Sequence, residues 1–129
     1  MDISSEIAAS ADHVIEAFSR FDRRAYFDSF DPEATVAFYY SPNVMGIEEY
    51  QRLWDDWVNE GFEVLSCESS NRIIQVISND IGLFVHDVHT EVTQAGGHKV
   101  LTERETIVLR KNQSGAWLVI HEHLSHPEL

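Results

Sequence analysis

Three consecutive residues, His121-Glu122-His123, form the densest cluster of titratable groups in the chain. A carboxyl between two imidazoles offers two kinds of chemistry: proton transfer by the carboxyl, or metal ligation by the rings. His-x-His on a strand puts both imidazoles on one face, and a third ligand would have to come from His86, His89 or Asp87. His86 and His89 point opposite ways along their strand, and neither a cysteine pair nor a helical His-x-x-x-His accompanies them. No metal site is therefore expected, and the carboxyl becomes the group to place.

The cluster sits at the end of RETIVLRKNQSGAWLVIHEHLS, residues 104–125. Two runs rich in β-branched and aromatic residues flank the polar turn KNQSG at 111–115, which is a β-hairpin signal. Alternation puts Leu118, Ile120, Glu122 and Leu124 on one face of the second arm, and Trp117, Val119, His121 and His123 on the other. Both faces are half apolar, so alternation leaves open which one looks inward.

Earlier elements must hold this hairpin. Residues 4–20 read as a helix, with Ile7, Ala11, Val14, Ile15 and Phe18 on one face and Ser4 or Ser5 as cap. Asp22 caps a short second helix reaching about residue 30, where Pro32 stops it. A strand at 34–40 ends at Ser41-Pro42-Asn43, and a third helix over 47–60 carries Tyr50, Trp54 and Trp57 to a glycine cap at Gly61. The period then changes to two. Strands are expected at 62–69 and 72–78, 81–94, 98–110 and 116–125, with turns at 79–80 and 95–97. Three helices followed by a meander of long strands is an α+β layout within one domain, residues 1–129.

Charge and composition narrow the partners. Acids outnumber bases 22 to 9, a net charge of −13 with histidine neutral. Such a surface repels phosphate backbones and anionic lipid, so neither nucleic acid nor a membrane surface is an expected partner. Cys67 is the sole cysteine, which excludes an intramolecular disulfide and points to a reducing compartment. No signal-peptide pattern and no apolar stretch of spanning length is present, and a cytoplasmic location is expected.

Three local strings carry a resemblance: Asp31-Pro32 followed by Thr35; Gly46-Ile47-Glu48 opening the third helix; and Glu105-Thr106, then Gly115-x-Trp117 and His121-x-His123-x-Ser125. In these and in its order of elements the sequence resembles the nuclear transport factor 2-like, or SnoaL-like, superfamily, also called ketosteroid-isomerase-like. Within it, the likeness is greatest to SnoaL-like domains akin to the association domain of calcium/calmodulin-dependent protein kinase II. The resemblance implies a cone-shaped, curved antiparallel sheet wrapped around N-terminal helices, a conical pocket, and a homodimer formed through the outer face of the sheet.

It also implies which side chains face that pocket: Glu122 and Leu124, Glu105, Ile107 and Leu109, and His86, Val88 and Thr90, with Tyr26 and Tyr50 from the helices. His121 and His123 fall on the outer face or at a dimer seam. Val88, Ile107 and Leu124 stand where the kinase association domain has arginines, so an anionic ligand is disfavoured and a neutral or cationic one fits better. The general-base aspartate of ketosteroid isomerases falls near Phe38 and their helix tyrosine near Val14, so that enol chemistry does not carry over.

Glu122, Glu105, Tyr26 and His86 remain as candidate catalytic groups. Tyr50, Trp54, Phe38, Val88, Thr90, Ile107 and Leu124 are the expected ligand-contacting walls. Carboxyls among apolar walls have raised pKa values, which suits acid–base work near neutrality without a cofactor. The competing reading makes both glutamates structural, bonded to Arg104, Arg72 or tyrosine hydroxyls. Three functions follow: a cofactor-independent isomerase, dehydratase or cyclase acting on a small neutral or apolar molecule; a binding protein with the same pocket; and a homo-oligomerising module.

Overall fold

The first helix begins where a carboxylate can cap it. In the computed structural model, which describes residues 2–127, α1 (Ile3–Ser19) opens on Asp2, whose carboxylate accepts the backbone N–H of Ser5 at 2.8 Å. Ser4 and Ser5, the expected caps, lie inside the helix, because the carboxylate both satisfies a free N–H and suits the positive end of the helix. Asp22 caps α2 (Arg23–Asp28) as expected, accepting the Ala25 N–H at 3.1 Å. Helix α3 (Ile47–Asn59) is followed by Gly61 at φ +97°, the left-handed position that a glycine fills without strain.

The strands are β1 (Phe30–Phe38), the two-residue β2 (Met45–Gly46), β3 (Glu63–Val76), β4 (Ile81–Gln94), β5 (Gly97–Lys111) and β6 (Trp117–Ser125). They form one open sheet in the order β2-β1-β6-β5-β4-β3, the cone-type α+β arrangement expected. Four of its five pairings are antiparallel; β1 and β6 run parallel, with Thr35 beside His121 and Phe38 beside Leu124. A parallel neighbour needs a long crossover, and everything from α3 to β5 supplies it.

Two boundaries differ from those read in the sequence. The first strand starts at Phe30, and Pro32 lies inside it, where the β1–β6 register shifts between Phe30 and Thr35 and no ladder bond is required of the proline. The two runs on either side of residue 71 are one strand, bent by irregularities between Val64 and Ser66 and between Ser70 and Ile73, with Asn71 at φ 52°. Bulges of this kind add twist, and they let β3 curl over the helix.

Helix α1 lays Ile7, Ala11, Val14 and Ala17 against the inner face of the sheet, all at most 4% exposed. Beside it α2, α3 and β1 contribute a cluster of rings in which Trp54 stacks on Tyr26 at 5.3 Å and Phe27, Phe30 and Phe38 meet Tyr50 edge-on. Helix α1 packs tightly against the sheet at Gly82 on β4, where a Cβ would collide with Ile7 Cδ1 and stand 2.7 Å from its Cγ1. No described helix is long and apolar enough to cross a membrane.

Gly82→Ala is expected to destabilise the fold by about 1–3 kcal/mol through overpacking, read as a lower urea midpoint. Adding Ile7→Val removes the nearest methyl, so the pair should cost less than the sum of the single changes. Strictly additive losses would show that the glycine is not what lets the helix seat.

Candidate functional site

Glu122 reaches the interior through a break in the rhythm of β6. Val108 pairs with His121 but Leu109 with Val119, which leaves Ile120 without a partner across the β5–β6 ladder. Trp117 and Val119 are buried, and after the bulge so are Glu122 and Leu124. Strict alternation had set Trp117 and Val119 on the face opposite Glu122; one extra residue puts all four on the same side. On β5 and β4 the alternation is regular, and it turns Glu103, Glu105, Ile107 and Leu109 inward, with His86, Val88, Thr90 and Val92 beside them.

These side chains bound a cavity of about 360 Å³ between the sheet and the helices. Of the residues expected there, Glu122, Glu105, Tyr26, His86, Tyr50, Val88, Thr90 and Leu124 line it, while Phe38, Trp54 and Ile107 do not. Trp54 lies behind Tyr26 in the aromatic cluster, and the cavity instead receives Trp57 from the same helix. Phe38 is held one strand further out, stacked on Tyr40 at 5.3 Å. Ile107, opposite Glu122 in the ladder, is fully buried in the core beneath.

Glu103, Tyr39, Tyr40, Cys67 and Leu101 were not foreseen as lining. For Glu103 the signal was present, since it stands two residues before Glu105 on a regular strand. Tyr39 and Tyr40 gave none, because they leave the strand and turn back over the cavity, each about half exposed.

The polar contacts form two short chains. Ser69 Oγ lies 2.6 Å from His86 Nδ1, and His86 Nε2 lies 2.8 Å from Glu105 Oε1. Tyr26 and Tyr50 share a hydrogen bond of 2.9 Å between their hydroxyls, and Tyr26 donates to Glu122 Oε1 at 3.5 Å. Glu122 is 2% exposed, and its Oε2 is buried without a hydrogen-bond partner among the described residues.

Burial sets the charge states. It holds His86 neutral, lowering its pKa to about 4 with the nearby Arg72 charge acting in the same sense. With Ser69 donating to Nδ1, the ring presents Nε2–H to Glu105 as a neutral donor. Burial raises Glu105 to about 7, an upward shift that a hydrogen bond from Glu122 partly offsets. Glu122 is raised further, by burial first and then by the charge of Glu105 beside it. Of the two coupled carboxyls, Glu122 is the one that keeps its proton to the higher pH. Burial also raises Glu103, an effect reduced by the facing Tyr39 hydroxyl, and lifts the Cys67 thiol to about 12, which makes it a poor nucleophile.

The two histidines that flank Glu122 face away from the cavity. His121 is bonded through Nδ1 to Thr35 at 2.8 Å, and the rings of His121 and His123 are 6.3 Å apart. Among the described residues no three His, Cys, Asp or Glu side chains converge as metal ligands would.

The model of the SnoaL-like domain matches residues 7–128, and the chain belongs to that family. Solved structures share the fold at low identity. A ketosteroid isomerase-like protein from Erwinia carotovora atroseptica has 19% identity and a TM-score of 0.80, over 98% of this chain and 97% of that one. An NTF2-like protein from Rhodospirillum rubrum has 15% identity and a TM-score of 0.83, over 95% and 98%. The association domain of C. elegans CaMKII has 21% identity and a TM-score of 0.69, over 94% and 93%. No curated protein matches the sequence.

A carboxyl whose folded pKa lies above its unfolded value withdraws stability as pH rises from the ordinary carboxylate range to the folded value. His86, held neutral to about 4, instead withdraws stability as pH falls below its ordinary 6.5. Above pH 6.5 the carboxyls alone of these groups act, so the unfolding free energy should decline toward about pH 8, by on the order of 1 kcal/mol. Glu122→Gln should flatten that limb in unfolding curves recorded along pH. If the unaltered chain shows no decline, the carboxyl pair ionises freely.

Proposed function

We propose that the cavity binds a small, largely apolar organic molecule and that the Glu105–Glu122 pair moves a proton on it. The observation that carries this reading is Glu122: a carboxyl 2% exposed, with one oxygen unpartnered, at the wall of a cavity of about 360 Å³. That volume is in the range of small-molecule sites, which combine apolar walls with a few converging polar groups.

The pair divides the work. Glu105, the ionised member, is placed to act as base, and Glu122, the protonated member, as acid. The Tyr26 and Tyr50 hydroxyls offer hydrogen bonds to an oxygen that gains charge during the reaction. His86 is a positioning residue, tied by Ser69 so that its N–H steadies Glu105. The resemblance sets the ketosteroid isomerase aspartate near Phe38, so in this reading the base is a different residue, Glu105 on β5. Isomerisation, dehydration and cyclisation all need this equipment, and none needs a cofactor.

The reading is tested with a bicyclic aryl ketone, tetralone, in heavy water. Exchange of its α-hydrogens, followed by proton NMR, should outrun the buffer reaction, and Glu105→Gln should slow it by roughly 100-fold or more. Tetralone that binds but exchanges at the buffer rate would make this a binding domain without proton transfer, and tetralone that does not bind would remove the ligand site.

A second reading concerns assembly. The outer face carries half-buried Leu83, Val85, Val108, Leu118 and Ile120 as one apolar stripe across β4, β5 and β6. We propose that it is covered by a second copy of the chain. Val108→Glu should shift sedimentation from dimer to monomer, and an unaltered chain that sediments as a monomer would overturn the assignment.

A further inference from the structure

One of the two irregularities in the β3–β4 ladder stands opposite His86. Ser70 pairs with Asp87 and Ile73 with Val85, so two residues of β3, Asn71 and Arg72, oppose the single residue His86. The extra residue, with Asn71 at φ 52°, turns Ser69 and Arg72 to the same side of the strand, although residues three apart ordinarily face opposite ways. Ser69 takes the imidazole Nδ1 at 2.6 Å. The Arg72 guanidinium is bonded to Asp12 of α1 and lies over the ring of Phe84, 4.9 Å from its centroid. Phe84 in turn has its centroid 4.7 Å from that of His86. Arg72 is no wall of the cavity. It stands behind it, with a single ring touching both guanidinium and imidazole.

A positive charge at that place bears on the strength of the base. A histidine 2.8 Å from a carboxylate is ordinarily drawn into protonation, and the two become an ion pair. A carboxylate paired with an imidazolium is held at low pKa and takes protons poorly. Burial disfavours a charged imidazole here, and the guanidinium adds its repulsion. With the ring uncharged, Glu105 has only a neutral N–H for a partner, and burial raises it to about 7.

Resting on the reading that Glu105 is the base of this cavity, we propose that Arg72 is a positioning residue: pinned by Asp12 over Phe84, it keeps His86 an uncharged hydrogen-bond donor and so keeps Glu105 able to take a proton from carbon. The other groups around the ring leave this part to it. Asp87, beside His86 on β4, pulls the other way, but its carboxylate is engaged by Asn71 and Arg104. Glu103 and Glu105 from β5 and Glu122 from β6 border the same cavity, and burial pushes all three toward the neutral form. Burial also keeps the Cys67 thiol of β3 and the hydroxyls of Tyr26 from α2 and Tyr50 from α3 protonated. Asp12 from α1 meets the guanidinium.

The test follows the His86 ring and the Glu105 carboxyl by NMR along pH, beside the tetralone exchange rate, in the unaltered chain, Arg72→Met and Arg72→Lys. Arg72→Met should raise the pH at which His86 takes its second ring proton and lower the pH at which Glu105 ionises, each by roughly one pH unit. The rise of exchange with pH should move down with Glu105, and its plateau should fall about ten-fold. Arg72→Lys keeps the charge and should return both midpoints most of the way. A part confined to holding α1 through Asp12 would lower stability without moving either midpoint. If His86 titrates alike in Arg72→Met and in the unaltered chain, the inference falls. It falls equally if His86 moves and Glu105 does not. An unaltered chain that fails to exchange tetralone would overturn the proton-transfer reading, while the two NMR midpoints still decide whether Arg72 sets the charge of the pair.

Discussion

The desolvation of Glu122 is the constraint around which the concave side of this sheet is arranged. A carboxyl taken out of water must keep its proton or find partners, and the surroundings of Glu122 supply a little of each. Tyr26 gives one long hydrogen bond, Glu105 is coupled to it, and the remaining oxygen is buried without a hydrogen-bond partner among the described residues. A domain selected only for stability would place a leucine there. The carboxyl is held instead by a bulge, which spends a ladder residue to turn it inward, and by a ring cluster that fixes the helices above it.

Much of this was legible in the residues. The three-four spacing of Ile7, Ala11 and Val14 and the period of two from β4 onward specify the layers, because both reflect burial of one face, which is decided locally. The string that ends in His121-x-His123-x-Ser125 led to the fold through resemblance, and the family match supports it. Eight of the eleven named site residues lie at one cavity, and four of them, His86, Val88, Thr90 and Glu105, do so because β4 and the later part of β5 keep their alternation.

What escaped was non-local. The β6 bulge depends on how β5 and β6 register against each other, and nothing in Leu118-Val119-Ile120-His121 marks the extra residue. The parallel pairing of β1 with β6 joins segments that share no turn, so no turn residues announce it. Trp54 and Trp57 are both apolar and three apart on one helix; which of them borders open space depends on where Tyr26 stacks. Gly82 reads as an ordinary strand glycine until α1 is laid across it.

The β1–β6 pairing bears on the order in which the molecule is made. Thr35 and His121, bonded side chain to side chain, are 86 residues apart, so a large loop must close before β1 joins β6, and contacts of this kind slow the search for the native state. The hairpins β3–β4, β4–β5 and β5–β6 are local and can form first. Until β1 and the helices close over that hairpin, Glu122 remains in water as an ordinary carboxylate. The group on which the site depends is thus the last to become unusual: its chemistry begins when the chain has finished folding.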